Sequence, residues 1–472
     1  MMKILSRLTV VLFGLFISGC SLAPEYTRPE LPVADQLPVD KAGKPPGDLP
    51  QQSGPELGWR GFFTDPQLQA LIELALANNR DLRESALTVE AYQAQYRIQR
   101  SALFPTIMAD GSGSKQRTMT GSGDYGTSEM YSASVGIAAY ELDLFGRVRH
   151  LRDQALEQYL AMEESHRSVH ISLVAEVARA YFTWLADREL LRVTEDTLRI
   201  EEESFQLIEQ REREGVATQL DLAQARTSLE TARANLALYE RLVAQDGNDL
   251  SLLAGSTVPV SLLEKAAPLN EQQLALHLPS PLASSVLLQR PDVMSAEHEL
   301  KGAHADIGAA RAAFFPAISL TAAGGFASDD LSRLFGGNSG IWSFAPSISL
   351  PIFTAGRLQA QLDVAEIRKD MLVARYEKAI QTAFQETANT LVARATYVRQ
   401  LAAQRANLQA NQEYHELARN RYQHGLDSFL TLLDAQRSLY TARQRCLTVY
   451  LEQLLNQVSL YKALGGGWEE RS

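Results

Sequence analysis

Several residues in this chain have the types and spacings that chemistry uses. His166 and His170 lie four apart, the spacing at which one helix face offers two nitrogens to a metal. His298 and His304 form a second, looser pair. The run GSGDYG at 121–126 has the glycine spacing of a phosphate-binding loop. Neither arrangement goes further. The histidines have no third ligand nearby, so they read as parts of solvated helix faces. The glycine run sits in a polar loop between two β-like stretches and opens no helix, so no phosphate would meet a helix N-terminus there. No P-loop, HExxH or G-x-S-x-G segment occurs. Cys446 falls on a helix with apolar periodicity and reads as a small core hydrophobe. The chain is expected to be no enzyme and to need no cofactor.

One cysteine points instead to chemistry done to the chain. Lys3 and Arg7 precede a short apolar run from Leu8 to Ile17, the layout of a secretory signal peptide. It ends in Ile17-Ser18-Gly19-Cys20, small residues before a cysteine, as in the bacterial lipobox. Cys20 is the expected lipidation site and, after cleavage of residues 1–19, the new N-terminus; the plain alternative is an ordinary signal peptide with a chance cysteine. Ser21 follows, where an Asp would retain a lipoprotein in the inner membrane, so outer-membrane sorting is expected.

The chain has 472 residues and a formal net charge of −11, which argues against a nucleic-acid partner. With only Cys446 after Cys20, no intrachain disulfide framework is available to the mature chain. No stretch after the signal peptide approaches the roughly 18 consecutive apolar residues of a membrane helix. If the mature chain crosses a membrane, it does so as β-strands.

The elements that would position these residues are duplicated. After a Pro- and Gly-rich leader at 20–58, Arg100-x-Ala102-x-Phe104-Pro105 recurs as Arg311-x-Ala313-x-Phe315-Pro316, and Gly146-Arg147 as Gly356-Arg357. Arg211, Gly215, Leu220 and Leu222 recur as Arg421, Gly425, Leu430 and Leu432, at an offset near 210 throughout. Two repeats are expected, 59–277 and 278–472. Each has a helical stretch (66–103; 284–314), a β-hairpin (about 105–143; about 315–353), a long helix (147–214; 356–423), a glycine turn and a last helix (219–254; 429–464).

A helix of about 68 residues spans roughly 100 Å. Apolar residues at three- and four-residue intervals, Leu173, Val177, Tyr181 and Leu185 in one copy, suit coiled-coil packing. The β-like stretches alternate: Trp342, Phe344, Ile348 and Leu350 interleave with serines. Such strands fit either a membrane barrel or a soluble sheet with one wet face. In a membrane, four strands cannot close a barrel, and open edges cannot sit in hydrocarbon. A trimer would pool twelve.

These residues, with CSLAPEYTRPELPV at 20–33, YELDLFGRVR at 140–149, ARAAFFPAISLTA at 310–322 and LPIFTAGR at 350–357, resemble the outer-membrane factors of tripartite efflux pumps. The resemblance is to the OprM-type lipoprotein branch, related more distantly to TolC, and it covers essentially the whole chain. It implies a mixed α and β fold: a homotrimer with a twelve-stranded barrel in outer-membrane lipid, continuous with a periplasmic α-helical barrel and a small equatorial domain. It also implies a periplasmic adaptor and a proton-driven inner-membrane transporter of the RND type as partners, and passive conduction of drugs and toxic compounds. By position, the gate would lie at the turns of Gly215 and Gly425. Three copies of Leu430 would form an apolar plug and three of Asp434 an acidic ring. Asp221 and Tyr422 would form a latch, although Asp221 is also placed to serve the N-terminus of its own helix. Asp427 stands where the TolC branch has an Arg, which leaves that branch's second latch in doubt. A type I protein-secretion duct would use the same architecture; a lipid-anchored coiled-coil spacer of the envelope is a further alternative, against which the duplicated hairpins argue, since a spacer needs no barrel strands.

Overall fold

A computed structural model describes residues 21–38, 58–119, 121, 123–272, 274 and 282–466. Residues 1–20, on which the expected signal peptide and the lipidation site Cys20 fall, most of the leader beyond residue 38 and the tail from residue 467 lie outside these. In chain order the helices are α1 (Trp59–Phe62), α2 (Pro66–Asn78), α3 (Arg80–Ser101), α4 (Arg147–Arg213), α5 (Gln219–Ala254), α6 (Val260–Glu264), α7 (Pro291–Ala312), α8 (Arg357–Gln423) and α9 (Phe429–Ala463). The strands are β1 (Ile107–Met119), β2 (Tyr125–Leu142), β3 (Ala317–Ser328) and β4 (Gly340–Ser349). Both α4 and α8 run 67 residues without interruption. No described helix is long and apolar enough to cross a membrane.

The chain divides into two compact units. The first comprises Met1–Glu30, Thr88–Glu163 and Ser295–Tyr376. It holds one antiparallel sheet in the order β1-β2-β3-β4. Cross-strand partners share a face, so the register sorts the side chains. Ile107 opposes Ile137, Ala322 opposes both Ile137 and Phe344, and Gly324 opposes Val135 and Trp342. With Phe326 and Ile348 these make one face apolar, and it is open: Trp342 is 83% exposed and Ile348 72%. The other face carries Asp110, Ser112, Gln116, Ser132, Ser134 and Ser343, with hydroxyl pairs Ser112–Ser132 and Ser319–Ser347, each 2.7 Å apart. Among the described residues, the outer edges of β1 and β4 have no strand partner.

β2 has 18 residues and reaches into the stretch read as a polar loop. Its Ser, Gly and Ala positions blur the alternation from which strand length is read. A bulge between Ile137 and Tyr140 bends it, with Ala139 at φ 51.

Residues 21–38 of the leader carry no helix or strand, as their composition suggests, yet they are docked. Arg28 donates to both carboxylate oxygens of Glu297 at 2.9 Å, and the Tyr26 hydroxyl donates to the same carboxylate at 3.0 Å. Glu297 is buried on α7, and a buried carboxylate needs such partners. Arg28 and Tyr26 hold its carboxyl below the usual range although burial pushes the other way.

The second unit comprises Leu31–Leu87, Glu164–Met294 and Glu377–Ser472. Its core gathers Trp59, Phe62 and Phe63, Leu68, Leu71 and Ile72 of α2, Tyr181, Phe182 and Leu185 of α4, and Tyr461 of α9. Phe62 stacks on Tyr461 with ring centres 4.4 Å apart. Asp65 starts α2 by accepting from the Gln67 amide at 2.8 Å, with Pro66 at the first helical position, and also accepts from the buried Tyr181 hydroxyl at 2.7 Å. The helical stretch expected over 66–103 is two helices. The break falls at Asn79, whose side chain accepts from the Leu82 amide and donates to the Leu253 carbonyl, both at 2.9 Å. An Asn that caps the next helix ends the previous one.

Candidate gate at the paired helix turns

The two glycine turns are built alike. Gly215 and Gly425 have φ of 75 and 73, the left-handed region that glycine enters without a Cβ clash. In each turn the following amide reaches back five residues, Val216 to the Arg211 carbonyl at 2.8 Å and Leu426 to the Arg421 carbonyl at 2.9 Å. The glycine amides close the inner bonds, to Glu212 and Tyr422. This is the Schellman ending, which satisfies the last carbonyls of a helix. The next helices, α5 and α9, begin three residues beyond each of these amides.

The turns pack on each other through a small apolar core. Ile208 of α4, Ala225 of α5, and Phe429 and Leu433 of α9 are buried together, with Phe205, Leu222 and Tyr422 against them. Above this core Arg437 of α9 donates to the Ser228 hydroxyl of α5 at 2.9 Å.

The polar contacts break the repeat symmetry. Arg421 makes a two-pronged ion pair with Asp427 at 2.7 and 2.9 Å within its own turn. Arg421 thereby holds the Asp427 carboxyl below its ordinary range. Arg211 is the repeat counterpart of Arg421, but the counterpart of Asp427 is Ala217. With Ala217 at the position of that acid, Arg211 crosses to α8. It donates to the Tyr422 hydroxyl at 2.6 Å, with its guanidinium 5.4 Å from that ring's centre.

Within the single chain, the Asp221 carboxylate, expected to latch onto Tyr422, is hydrogen-bonded locally instead. The Asp221 carboxylate accepts from the Thr218 amide at 2.9 Å and from its hydroxyl at 2.7 Å, while the Thr218 hydroxyl accepts from the Asp221 amide. This reciprocal capping box starts α5 and uses the carboxylate locally. Thr218 and Asp221 stand at the spacing that signals such a box. Arg211 also had a sequence signal: an Arg whose counterpart has an acid partner that it lacks.

Leu430 and Asp434 lie four apart on α9, hence on one helix face. Leu430 is 55% exposed, and the exposed Asp434 accepts from the Tyr414 hydroxyl of α8 at 3.2 Å. Their face points away from the apolar core of the turns. The chain therefore presents an apolar and then an acidic side chain on an open helix face.

The other candidates are accounted for locally. His166 meets the Ser85 hydroxyl at 2.7 Å, and burial depresses the His170 imidazole below its ordinary value. His298 pairs with Glu157 at 2.7 Å, and His304 packs edge-on against Tyr26. Among the described residues no three His, Cys, Asp or Glu converge as a metal site. Cys446 is half-buried and free, and burial raises its thiol above the ordinary value.

Known proteins carry the same plan. A family model described as outer membrane efflux protein matches the chain twice, over 71–256 and 282–466. The toluene efflux pump outer membrane protein TtgC of Pseudomonas putida is 53% identical over 470 residues, spanning 99% of this chain and 96% of its own. The cation efflux system protein CusC of Escherichia coli is 43% identical over 458 residues, covering 97% and 98%. Among solved structures, the open state of the Neisseria gonorrhoeae MtrE outer membrane channel superposes with a TM-score of 0.87 at 40% identity, covering 95% of this chain and 98% of its own. A duplicated helix–hairpin–helix chain, a two-faced sheet with open edges and matches of this extent in both repeats lead to one conclusion: the chain belongs to the outer membrane efflux protein family.

Proposed function

We propose that three copies of this chain form the passive exit channel of a drug efflux pump in the outer membrane. The observation that carries this reading is the four-stranded sheet with one apolar face, one polar face and two unpaired edges. Unpaired backbone groups cost several kcal/mol each in hydrocarbon, so the edges must find partners. Four strands curl into too small a ring, and twelve from three copies close a barrel wide enough for a water-filled lumen. The apolar face then meets lipid and the serine-rich face lines the channel.

A passive duct needs energy and cargo from elsewhere. A proton-driven RND-type transporter in the inner membrane would supply both, and a periplasmic adaptor would join it to the duct. Drugs and other toxic compounds, organic solvents among them, are the cargo class that fits relatives such as the toluene pump protein. Acylation of Cys20 would tether the leader to the outer membrane. Three copies of Leu430 would meet as an apolar plug, and three of Asp434 as an acidic ring that favours cations.

Deleting the gene and following a lipophilic cationic dye, together with the proteins released to the medium, tests this. The proposal expects raised dye retention with normal protein release, reversed by the wild-type gene. Normal dye handling with missing exported proteins would overturn it in favour of a protein-secretion duct.

A further inference from the structure

One row of α4 is polar where a helix seam is ordinarily apolar. Asp187, Thr194, Glu201 and Ile208 follow at seven-residue intervals and share one helix face. Only Ile208, in the core of the turns, is apolar. Thr194 is fully buried, and its hydroxyl lies 2.9 Å from the Tyr440 hydroxyl of α9. Glu201 is 4% exposed, and its Oε2 has no hydrogen-bond partner. Asp187 interacts with Asp246 of α5, whose Oδ2 is also buried without a partner. Polar side chains at such positions cost stability and are kept where they set register or allow more than one.

The charged surroundings differ along the row. Glu201 faces Arg437 of α9, which gives its hydrogen bonds to Ser228 of α5. Asp187 and Asp246 face each other, with Asp249 adding to the negative field on α5. Arg188, beside Asp187, is turned to the carbonyls of Leu263 and Ala266. So neither carboxyl site has a cation hydrogen-bonded to it.

We propose that this row is a proton-dependent seam controlling the gate: with Glu201 and the Asp187–Asp246 pair protonated, α4 packs closely on α9 and α5 and the turns stay shut, and loss of those protons drives the helices apart. Arg437 stands three residues beyond Asp434 on α9, so separation at the seam moves the helix that carries Leu430 and Asp434. Burial raises the Glu201 carboxyl above its ordinary range. Burial, then the neighbouring Asp187 carboxyl, pushes Asp246 up to about 7. The sign follows from these directions: raised carboxyl values favour the packed seam below the ordinary carboxylate range. That advantage is lost as pH rises through the raised values, near neutrality for Asp246.

The test is the reconstituted trimer in a planar bilayer, titrated from about pH 4 to about pH 8, a window that runs from ordinary carboxyl values up through the raised ones. Wild-type conductance should rise through neutral pH. Glu201→Gln and Asp246→Asn each mimic a protonated carboxyl, and the double variant should stay at the low, acid-like conductance across the range. A pH-independent wild type, or a double variant with the wild-type profile, would overturn the proposal. Spin labels on Leu426 of each wild-type chain give a second reading, independent of variant folding and of current: their separations should lengthen from acid to neutral pH, and unchanged separations would refute the seam. Absence of current at every pH would count against the channel reading instead, with the label distances still deciding the seam.

Discussion

Single residues do two separate jobs around the paired turns. Phe429 and Ile208 hold the turns together, while Leu430 and Asp434 face outward from that core. If the outward pair meets its copies at the axis, trimming either side chain widens the passage. Leu430→Ala and Asp434→Ala should each raise single-channel current, and Asp434→Ala should also weaken cation preference; unchanged conductance in both would remove them from the gate. Phe429→Ala acts differently, since it empties a buried site. A loss of about 3–5 kcal/mol is usual for such a change, and a lower melting temperature with faster proteolysis at the Gly215 and Gly425 turns should report it. Which of these residues could be read from sequence follows from how local their cues are. The glycine pair stood out because a left-handed turn needs a residue without a Cβ. The role of Asp221 turned on a competition between Thr218, three residues away, and Tyr422, across the fold. The local partner wins because the capping box forms with helix α5 itself, at no cost in bringing distant groups together.

At the level of elements, the sheet makes the sharpest prediction because adjacent glycines differ in surroundings. A Cβ on Gly325 would lie 2.2 Å from the Ala133 carbonyl oxygen, whereas a Cβ on Gly324 would meet nothing within 4 Å. Gly325→Val should therefore prevent β2–β3 pairing and abolish the detergent-stable trimer on gels, while Gly324→Val should assemble normally. Equal behaviour of the two would contradict the register described above. The leader makes a milder prediction. Arg28→Ala leaves the buried Glu297 with the Tyr26 hydroxyl and Lys301 as partners, so residues 21–30 should become protease-sensitive with the channel still assembled. The long helices were legible because apolar spacing of three and four persists over many turns. The break at Asn79 was not, because an Asn inside a helical pattern gives no sign of whether its side chain turns back onto the backbone. The 18-residue length of β2 has no sequence cue, because small residues pack in sheets without marking a face.

For the whole molecule, the duplication alone sets the layout. Two copies of one helix–hairpin–helix unit supply an even number of antiparallel strands, and the sorted faces place lipid on one side and water on the other. The leader's tight docking had no such signal, since Pro- and Gly-rich composition speaks to backbone conformation and not to the buried Glu297 that receives Arg28. A chain of this kind should assemble into a conducting channel, which current recorded from the purified, detergent-extracted protein in a planar bilayer would report. Discrete, uniform current steps from a trimer, enlarged by Asp434→Ala, are expected. A protein that remains monomeric in mild detergent and produces no steps would contradict that expectation.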